Sequence, residues 1–387
     1  MFGRGVTLFR LFGFEVKIDL SWLIIATLIT WSLASSVFPA YFGSLTSLTY
    51  WAMGVVGAAG LFLSVIIHEF SHSLVARRFG LSMKGITLFI FGGVAEMAGE
   101  PPNARAEFFM AIAGPAASVV LSGVIYGVTV LGGSANWPSP VIGVLSYLWV
   151  INLVLAAFNL VPAFPLDGGR ILRSLLWGYS KRLTWATRIA SRIGSGFGFL
   201  LMLLGVLFFI RGALVGGIWW FLIGMFVRSA SVGSYQQLLT KQVLAGHPVR
   251  QFMQENPIAV PNQISIERLV EDYVYKFHFK MFPVLEGEHL AGCITTRRIK
   301  ELPRSEWNQH TVQELSTGCT PDNTISPDTD ATDALAQMHR THNTRLMVVE
   351  GDRLVGIIAL KDLLGFLSSK LDLEGRSFSE RDRGERT

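Results

Sequence analysis

Two histidines and a glutamate stand close together within a long apolar run. The segment His68-Glu69-Phe70-Ser71-His72 has the spacing HExxH. Residues four apart lie on one face of a helix, so both imidazoles can bind one zinc ion while Glu69 addresses a water molecule. Zinc in hydrolases takes three protein ligands and leaves a fourth position for water, whose pKa it lowers to about 7. The motif therefore predicts a catalytic metal site with Glu69 as the general base.

The apolar surroundings of this motif favour chemistry over packing. Ionisable groups inside a membrane helix are energetically expensive, and three of them fall within about one turn here. The alternative is a pair of packing histidines with a glutamate that extends to the membrane surface. We disfavour that alternative because HExxH in an apolar helix has few other uses.

A catalytic zinc ion needs a third ligand, and the segment 159–170 offers a candidate. It reads Asn-Leu-Val-Pro-Ala-Phe-Pro-Leu-Asp-Gly-Gly-Arg. The prolines break a helix before Asp167, and the two glycines after it let the backbone turn. A carboxylate there could reach the HExxH helix. From the spacing alone, Asp167 is equally compatible with capping a helix that begins at Gly-Gly-Arg.

The chain around these motifs is too apolar for an ordinary soluble protein. Half of its 387 residues are hydrophobic and only 16% are charged, whereas soluble domains have about 25% charged residues. A membrane-spanning helix needs about 20 apolar residues. Arg211 and Gly212 divide the last apolar stretch, which predicts a tight hairpin of two short spans, with one span and a buried segment as the alternative. Six candidate runs lie at 19–39, 51–75, 107–131, 141–163, 196–211 and 213–228.

The basic residues predict the orientation of the spans. The segment 132–140 has no charge, whereas the loops 76–106 and 165–195 are rich in lysine and arginine. By the positive-inside rule, the N-terminus, both of these loops and everything after Arg228 are cytoplasmic in a multi-pass protein of the cell membrane. The net charge of +5 does not indicate a nucleic-acid partner, because the basic residues flank apolar runs and form no single basic face. Between the fourth and fifth runs lie Arg170, Arg173, Lys181, Arg182, Arg188 and Arg192.

The first apolar run also has some features of a signal peptide. Basic residues precede it, and Ser32-Leu33-Ala34 is similar to a cleavage site. The run is long for the apolar part of a signal peptide, however, and Trp22 and Trp31 suit a retained helix with interfacial anchors. We therefore expect this run to remain as a membrane span.

Taken together, these motifs resemble the site-2 protease family of intramembrane metalloproteases (peptidase M50). The resemblance rests on HExxH in a membrane helix, the later NxxPxxPLDGGR and the segment 12–19 before the first span. It covers about the first 230 residues. It implies that His68, His72 and Asp167 bind one zinc ion per chain and that Glu69 is the catalytic base. It also implies a membrane-embedded or membrane-anchored substrate, such as an anti-sigma factor or a pro-protein.

Two weaker signals accompany the metal motifs. Asn159 lies about two helical turns before Asp167 and could hydrogen-bond the substrate carbonyl or the developing oxyanion. An amide that packs between helices is the alternative. The segment 85–96, with Gly92 and Gly93, is apolar, β-prone and too short to span a membrane. It resembles the family's re-entrant β-structure, whose edge could pair with an unwound substrate, but a buried loop explains it equally well.

From about Gly246 the chain contains an internal repeat. Residues 278–295 match residues 342–359 without a gap. Each copy predicts a helix, a strand, a turn at Glu-Gly, a second strand and a helix. Neither copy is large enough to bury a core alone, so the two are expected to pack as a pair. The pattern resembles tandem CBS domains, an α/β module that often binds adenine nucleotides such as ATP.

The nucleotide-binding signature of that module is half complete in each copy. The family pattern has a hydroxyl residue followed three positions later by an aspartate. Here Thr295 is followed by Arg298, and Asp362 is preceded by Ala359. Nucleotide binding, with Thr295 near a phosphate and Asp362 near a ribose, is one interpretation. A structural role or homodimerisation through the CBS pair is the other.

The predicted fold is a multi-pass α-helical membrane protein with about six transmembrane helices and a short re-entrant β segment, followed by an α/β CBS pair. The tail is charged and polar, which predicts disorder. The predicted domains are a protease domain at 1–230, a linker at 231–245, CBS domains at 246–305 and 306–371, and a tail at 372–387.

The predicted function is intramembrane zinc endopeptidase activity on membrane proteins in the lipid bilayer, with the CBS pair as a candidate regulatory site. The alternative is an ion transporter or channel regulated by CBS domains, in which His68, Glu69 and Asp167 line an ion path. The order of the motifs disfavours it, because HExxH followed by Asp-Gly-Gly-Arg supplies three ligands and a base.

Overall fold

The computed structural model describes residues 6–11, 14–81, 83–89, 92–97, 100–370 and 373. The chain divides into two compact units, Met1–Gln236 and Gln237–Thr387. This division lies close to the domain border predicted at residue 230. The predicted disordered tail, 372–387, lies outside the described residues except for residue 373.

Six helices of the described chain are long and apolar enough to cross a membrane, as predicted. The shortest continuous α-helix among them has 21 residues and is about 32 Å long at 1.5 Å per residue. This length is close to the thickness of the hydrocarbon core of a bilayer. Large apolar side chains on these helices, such as Leu63, Val120 and Leu200, are exposed, which suits a lipid environment. The helices are α1 (Leu20–Tyr41), α2 (Ser47–Arg78), α3 (Ala104–Ser134), α4 (Ser139–Asn159), α6 (Leu183–Ile210) and α7 (Leu214–Leu244), with the shorter α5 (Asp167–Ser180) between α4 and α6.

The last two spans form the predicted hairpin. Gly212 in the turn has a φ of +88°, a conformation that glycine adopts without a steric penalty. A Cβ atom at Gly198 on α6 would lie 2.7 Å from the carbonyl oxygen of Gly224 on α7, so the two helix backbones are in close contact. The single-span alternative is wrong. The predicted runs were too short, because polar residues outside the apolar stretches continue both helices.

A four-stranded sheet belongs to the first unit, with the strand order β1-β2-β3-β4. The strands β1 and β2 are antiparallel, β2 and β3 are parallel, and β3 and β4 are antiparallel. Residues 85–89 and 92–96 are therefore paired strands of a sheet and not a buried loop, while their entry into the membrane stays a prediction. The strands are β1 (Val6–Leu11), β2 (Phe14–Ile18), β3 (Met83–Phe89) and β4 (Gly92–Met97).

The second unit contains two four-stranded sheets, and the two repeats exchange strands between them. The sheet orders are β10-β11-β12-β5 and β6-β7-β8-β9. The early strand β5 of the first repeat pairs with β12 of the second, and β9 of the second pairs with β8 of the first. The strands are β5 (Gln254–Glu255), β6 (Val260–Pro261), β7 (Met281–Glu286), β8 (His289–Thr295), β9 (Thr317–Gly318), β10 (Thr324–Ile325), β11 (Arg345–Glu350) and β12 (Arg353–Ala359).

Both cores of this unit are shared between the repeats. Val249 and Phe252 from the start of the first repeat pack in a cluster with Leu346 of the second. Val312 of the second repeat packs with Val260 of the first. Each repeat therefore lacks part of its core when alone, in agreement with the expected pair. Helical segments lie at 266–277, Thr296–Ile299, Val312–Leu315, Ala331–Thr341 and 360–370.

Candidate metal centre

Three of the predicted site residues meet at one point in the first unit. His68 and His72 lie on α2, and Asp167 is the first residue of α5. Oδ2 of Asp167 is 3.1 Å from Nε2 of each histidine, and the two Nε2 atoms are 3.2 Å apart. A tetrahedral zinc ion with bonds of about 2.0–2.1 Å requires ligand atoms about 3.3 Å apart. The two imidazoles and the carboxylate thus fit one zinc ion, and all three residues are buried.

Helix α3 holds the other nitrogen of each imidazole. Nδ1 of His72 donates to the carbonyl oxygen of Met110 at 2.6 Å, and Nδ1 of His68 lies 3.0 Å from Oγ of Ser118. A carbonyl oxygen is only an acceptor, so Nδ1 of His72 carries the hydrogen and Nε2 keeps a free lone pair. Such outer partners fix the tautomer and orientation of metal-binding histidines. Both rings are therefore oriented with Nε2 towards Asp167.

Gly114 lets α3 approach the two histidines. A Cβ atom at this position would lie 2.6 Å from Cε1 of His72 and 2.7 Å from Nε2 of His68, so any side chain would enter the space of the site. The sequence analysis missed both Gly114 and Ser118. Their spacing, Gly-x-x-x-Ser in an apolar run, was the available signal, because small residues four apart are typical of close helix packing in membranes.

We expect Gly114→Ala to lower zinc occupancy, because the methyl group would displace the imidazoles. The matched control is Gly123→Ala on the same helix, where a Cβ atom would meet nothing within 4 Å. The measurement is the zinc content of the two purified variants by elemental analysis. Equal zinc content would contradict the role given to the close approach at Gly114.

The backbone around Asp167 is compact. Leu166 is the N-cap residue of α5, and Asp167 occupies its first turn. A Cβ atom at Gly169 would lie 2.4 Å from the carbonyl carbon of Ala163, so the turn that precedes α5 packs directly against its first residues. Only glycine fits such an approach of two backbone segments. The Gly-Gly pair after Asp167 thus allows the turn to present the carboxylate to the histidines.

Glu69 lies beside the last strand of the sheet. A Cβ atom at Gly93 would be 2.8 Å from Cγ of Glu69, so the β4 backbone passes next to this side chain. Gly92 begins the same strand. In the described sheet β4 is a terminal strand, and a terminal strand has unpaired backbone groups on one side. The candidate base and a terminal strand of the described sheet therefore lie together.

The remaining predicted residues make local contacts. Nδ2 of Asn159 donates to the carbonyl oxygen of Leu155, one turn earlier on α4, at 3.0 Å. Oγ1 of Thr295 accepts from the backbone N–H of Arg298 at 3.3 Å. Oδ2 of Asp362 accepts from the N–H of Ala359 at 3.0 Å. Thr295 ends β8 in one repeat and Asp362 follows β12 in the other, so they belong to different copies.

Known proteins from a bacterium and an archaeon are similar to this chain over most of its length. Rip3 of Mycobacterium tuberculosis is 33% identical over 361 residues, which are 93% of this chain and 92% of Rip3. Zinc metalloprotease MJ0392 of Methanocaldococcus jannaschii is 30% identical over 369 residues, 94% of this chain and 96% of that protein. Residues 56–139 and 128–204 match the model of peptidase family M50. This chain belongs to peptidase family M50.

The M50 protein also has a CBS domain, since residues 312–369 match the CBS model. The match covers the second repeat, and the first repeat has the same strand pairing. A solved site-2 protease from Methanocaldococcus jannaschii is 27% identical, with a TM-score of 0.41 over 59% of this chain and 94% of that chain. The matches to the M50 model and to the CBS model confirm the predicted combination of an M50 domain with a CBS domain.

Proposed function

We propose that this M50 protein is an intramembrane zinc metalloendopeptidase that cleaves membrane-embedded or membrane-anchored proteins. The observation that carries the proposal is the triangle of His68, His72 and Asp167, with Glu69 next to His68 on the long apolar helix α2. The relative MJ0392 is named a zinc metalloprotease. The transporter alternative does not require three ligand atoms at coordination spacing.

The proposed chemistry assigns one role to each group. His68, His72 and Asp167 would hold the zinc ion, which supplies Lewis acidity towards the scissile carbonyl and a water molecule. Glu69 takes a proton from the attacking water and passes it to the leaving amine. The water oxygen forms a bond to the carbonyl carbon and the C–N bond breaks, which leaves a carboxylic acid and a free amine. Nδ1 partners on α3 keep both imidazoles in place during these proton transfers. No covalent acyl-enzyme is formed.

The substrate is proposed to bind as an extended strand along β4. A peptide bond inside a helix is shielded by the helix's own hydrogen bonds, so cleavage in the membrane needs local unwinding. Strand addition to an open edge supplies backbone partners for an unwound segment. Gly93 lies on β4 next to the Glu69 side chain of α2. This supports the assignment of Gly92 and Gly93 as substrate-contacting positions. Asn159 is the candidate donor to the substrate carbonyl or oxyanion.

The test of the proposed activity is cleavage of a transmembrane peptide by the purified protein in detergent or bilayer discs. We expect cleavage inside the apolar segment, its loss after treatment with a zinc chelator, and its return when zinc is added. A folded, zinc-loaded protein that cleaves no membrane-anchored peptide in a diverse set would contradict the proposal. Ion flux into vesicles under the same conditions would favour the transporter.

We further propose that the protein lies in the cell membrane with its N-terminus and its CBS pair on the cytoplasmic side, where the CBS pair binds adenine nucleotide. The basic segments 76–106 and 165–195 between the spans support this orientation. Thr295 is the N-cap residue of the helix after β8, and Asp362 lies in the first turn of the helix 360–370 after β12. Homodimerisation through the CBS pair is the competing role.

A nucleotide can change proteolysis only if it binds two states of the enzyme with different affinities. We expect ATP or a related nucleotide to change the cleavage rate of the full-length protein and Asp362→Ala to weaken this response while zinc content stays unchanged. The measurement is the initial rate against nucleotide concentration. Lack of any response up to millimolar nucleotide, together with concentration-dependent dimerisation, would favour the dimerisation role.

A further inference from the structure

A buried ion pair connects α3 with α5 in the first unit. Nε of Arg173 donates to Oε1 of Glu107 at 2.6 Å, and Nη2 of Arg173 contacts the same oxygen. Glu107 has no exposed surface and Arg173 is 5% exposed. From the sequence, Arg173 counted only as one of several basic residues that orient the spans. In the fold it is an internal contact two turns after Asp167.

Stability alone is a poor explanation for this pair. Removing two charges from water costs several kcal/mol per ion, and the mutual attraction often fails to repay that cost. The second carboxylate oxygen, Oε2 of Glu107, has no hydrogen-bond partner among the described residues, which adds to the cost. A well-packed apolar pair would serve stability as well or better. The pair is therefore better explained by the position in which it holds α5 against α3.

The pair lies on the same face of α3 as the contacts to the histidines. Glu107, Met110, Gly114 and Ser118 have the spacing i, i+3, i+7 and i+11, which is one stripe of a helix. Met110 and Ser118 contact the two imidazoles, and Gly114 makes room for them. Glu107 extends this stripe by one turn and contacts α5. One helix face thus contacts both histidine ligands and the helix that begins with Asp167.

Arg173 also contacts the turn that precedes Asp167. Its guanidinium carbon lies 5.0 Å from the centre of the Phe164 ring, three residues before Asp167. The carbonyl oxygen of Phe164 accepts a hydrogen bond from Oγ of Ser231 on α7. A single side chain, held by Glu107, therefore stabilises both α5 and the turn from which the carboxylate ligand extends.

We propose that the Glu107–Arg173 pair positions Asp167 for metal binding by fixing α5 against the face of α3 that holds the two histidines. Both are positioning residues, since neither touches the ligand atoms. The proposal rests on the proposed zinc site. It makes the third ligand's position depend on a contact two helical turns away along α5.

The test uses the full-length protein and measures zinc affinity by chelator competition. Loss of a direct hydrogen-bond partner of a ligand weakens metal binding by about 10–100-fold. The pair acts one contact further from the ligands, so we expect the lower end of this range, about 10-fold, in Glu107→Gln and in Arg173→Gln. The double variant Glu107→Gln/Arg173→Gln should bind zinc no more weakly than Arg173→Gln alone, because the contact with Glu107 is already lost in that single variant. Cobalt-loaded protein should show an altered visible absorption spectrum, which reports the geometry of the ligands.

The matched control is Ser122→Ala. Oγ of Ser122 donates to the carbonyl oxygen of Trp149 at 2.7 Å, so this change removes a buried contact of α3 with α4 and leaves α5 untouched. We expect lower thermal stability, with zinc affinity and the cobalt spectrum unchanged. If a single variant fails to fold, the double variant, which leaves no unpaired buried charge, and the charge-retaining Arg173→Lys take its place.

Two outcomes distinguish this inference from the proposed function. Wild-type protein that binds no zinc would overturn the metal site itself. Wild-type protein that binds zinc, together with folded pair variants of equal zinc affinity and an identical cobalt spectrum, would overturn the positioning role alone. The pair would then be a structural contact between α3 and α5.

Discussion

A Glu69→Gln variant is expected to keep its zinc and lose nearly all proteolysis. The amide has the shape of the carboxylate but cannot accept a proton, so the ligand triangle stays intact while the base is lost. General-base catalysis contributes about 10²–10⁴-fold, and we expect the turnover of a transmembrane peptide to fall by about that factor. Zinc content and initial rates, measured on one preparation, separate the two effects.

The control for this variant is Glu15→Gln. Glu15 lies on β2, where it pairs with Arg10 and Lys17, and these cations hold the pKa of its carboxyl below the usual range. It is a charged glutamate of the same unit, and its ion-pair partners, Arg10 and Lys17, both belong to the sheet. The control should retain full turnover. Substantial cleavage by a sequence-verified Glu69→Gln protein would remove Glu69 from the role of base.

The second large effect is expected from Asp167→Ala, which should lose zinc as well as activity. Two imidazoles without the carboxylate leave zinc one protein ligand short of the usual three. Because loss of outer partners already weakens binding by about 10–100-fold, removal of a ligand should exceed that range. The measurement is zinc affinity by chelator competition, with turnover at saturating zinc as a second readout.

Asp19→Ala supplies a matched comparison. Asp19 is also an aspartate at the start of a helix, and its Oδ1 accepts from the N–H of Ser21 at 2.9 Å. Loss of such a cap costs about 1 kcal/mol of stability, with no effect on zinc. If Asp167→Ala lost stability but kept its zinc, as is expected of Asp19→Ala, the third ligand would lie elsewhere.

The sequence predicted those parts of the fold that one local pattern determines. Apolar runs of sufficient length identified the six membrane helices, because the bilayer imposes a length on each. The i and i+4 spacing placed His68 and His72 on one helix face. From the residues alone, it stayed open whether Asp167 reaches that face. It depends on the turn before α5, where backbone segments touch at Gly169.

Features that arise from packing between distant segments were missed. The strands β1 and β2 have no strong pattern of their own; they pair with each other, and β2 also pairs with β3. Gly114 and Arg173 gain their importance from neighbours on other helices. A glycine in an apolar run and an arginine in a basic loop are both ordinary in sequence. Their roles become visible only when α2, α3 and α5 are placed side by side.

The exchange of strands in the second unit has a consequence for biosynthesis. Glu255 of β5 pairs with Gly356 of β12, about 100 residues later in the chain. At a synthesis rate of about 5–20 residues per second, roughly 5–20 s pass between the emergence of one partner and that of the other. During that interval the first repeat has open strand edges and an incomplete core, which are sites for aggregation. A ribosome that stalls between the repeats would therefore leave a nascent chain that needs a chaperone.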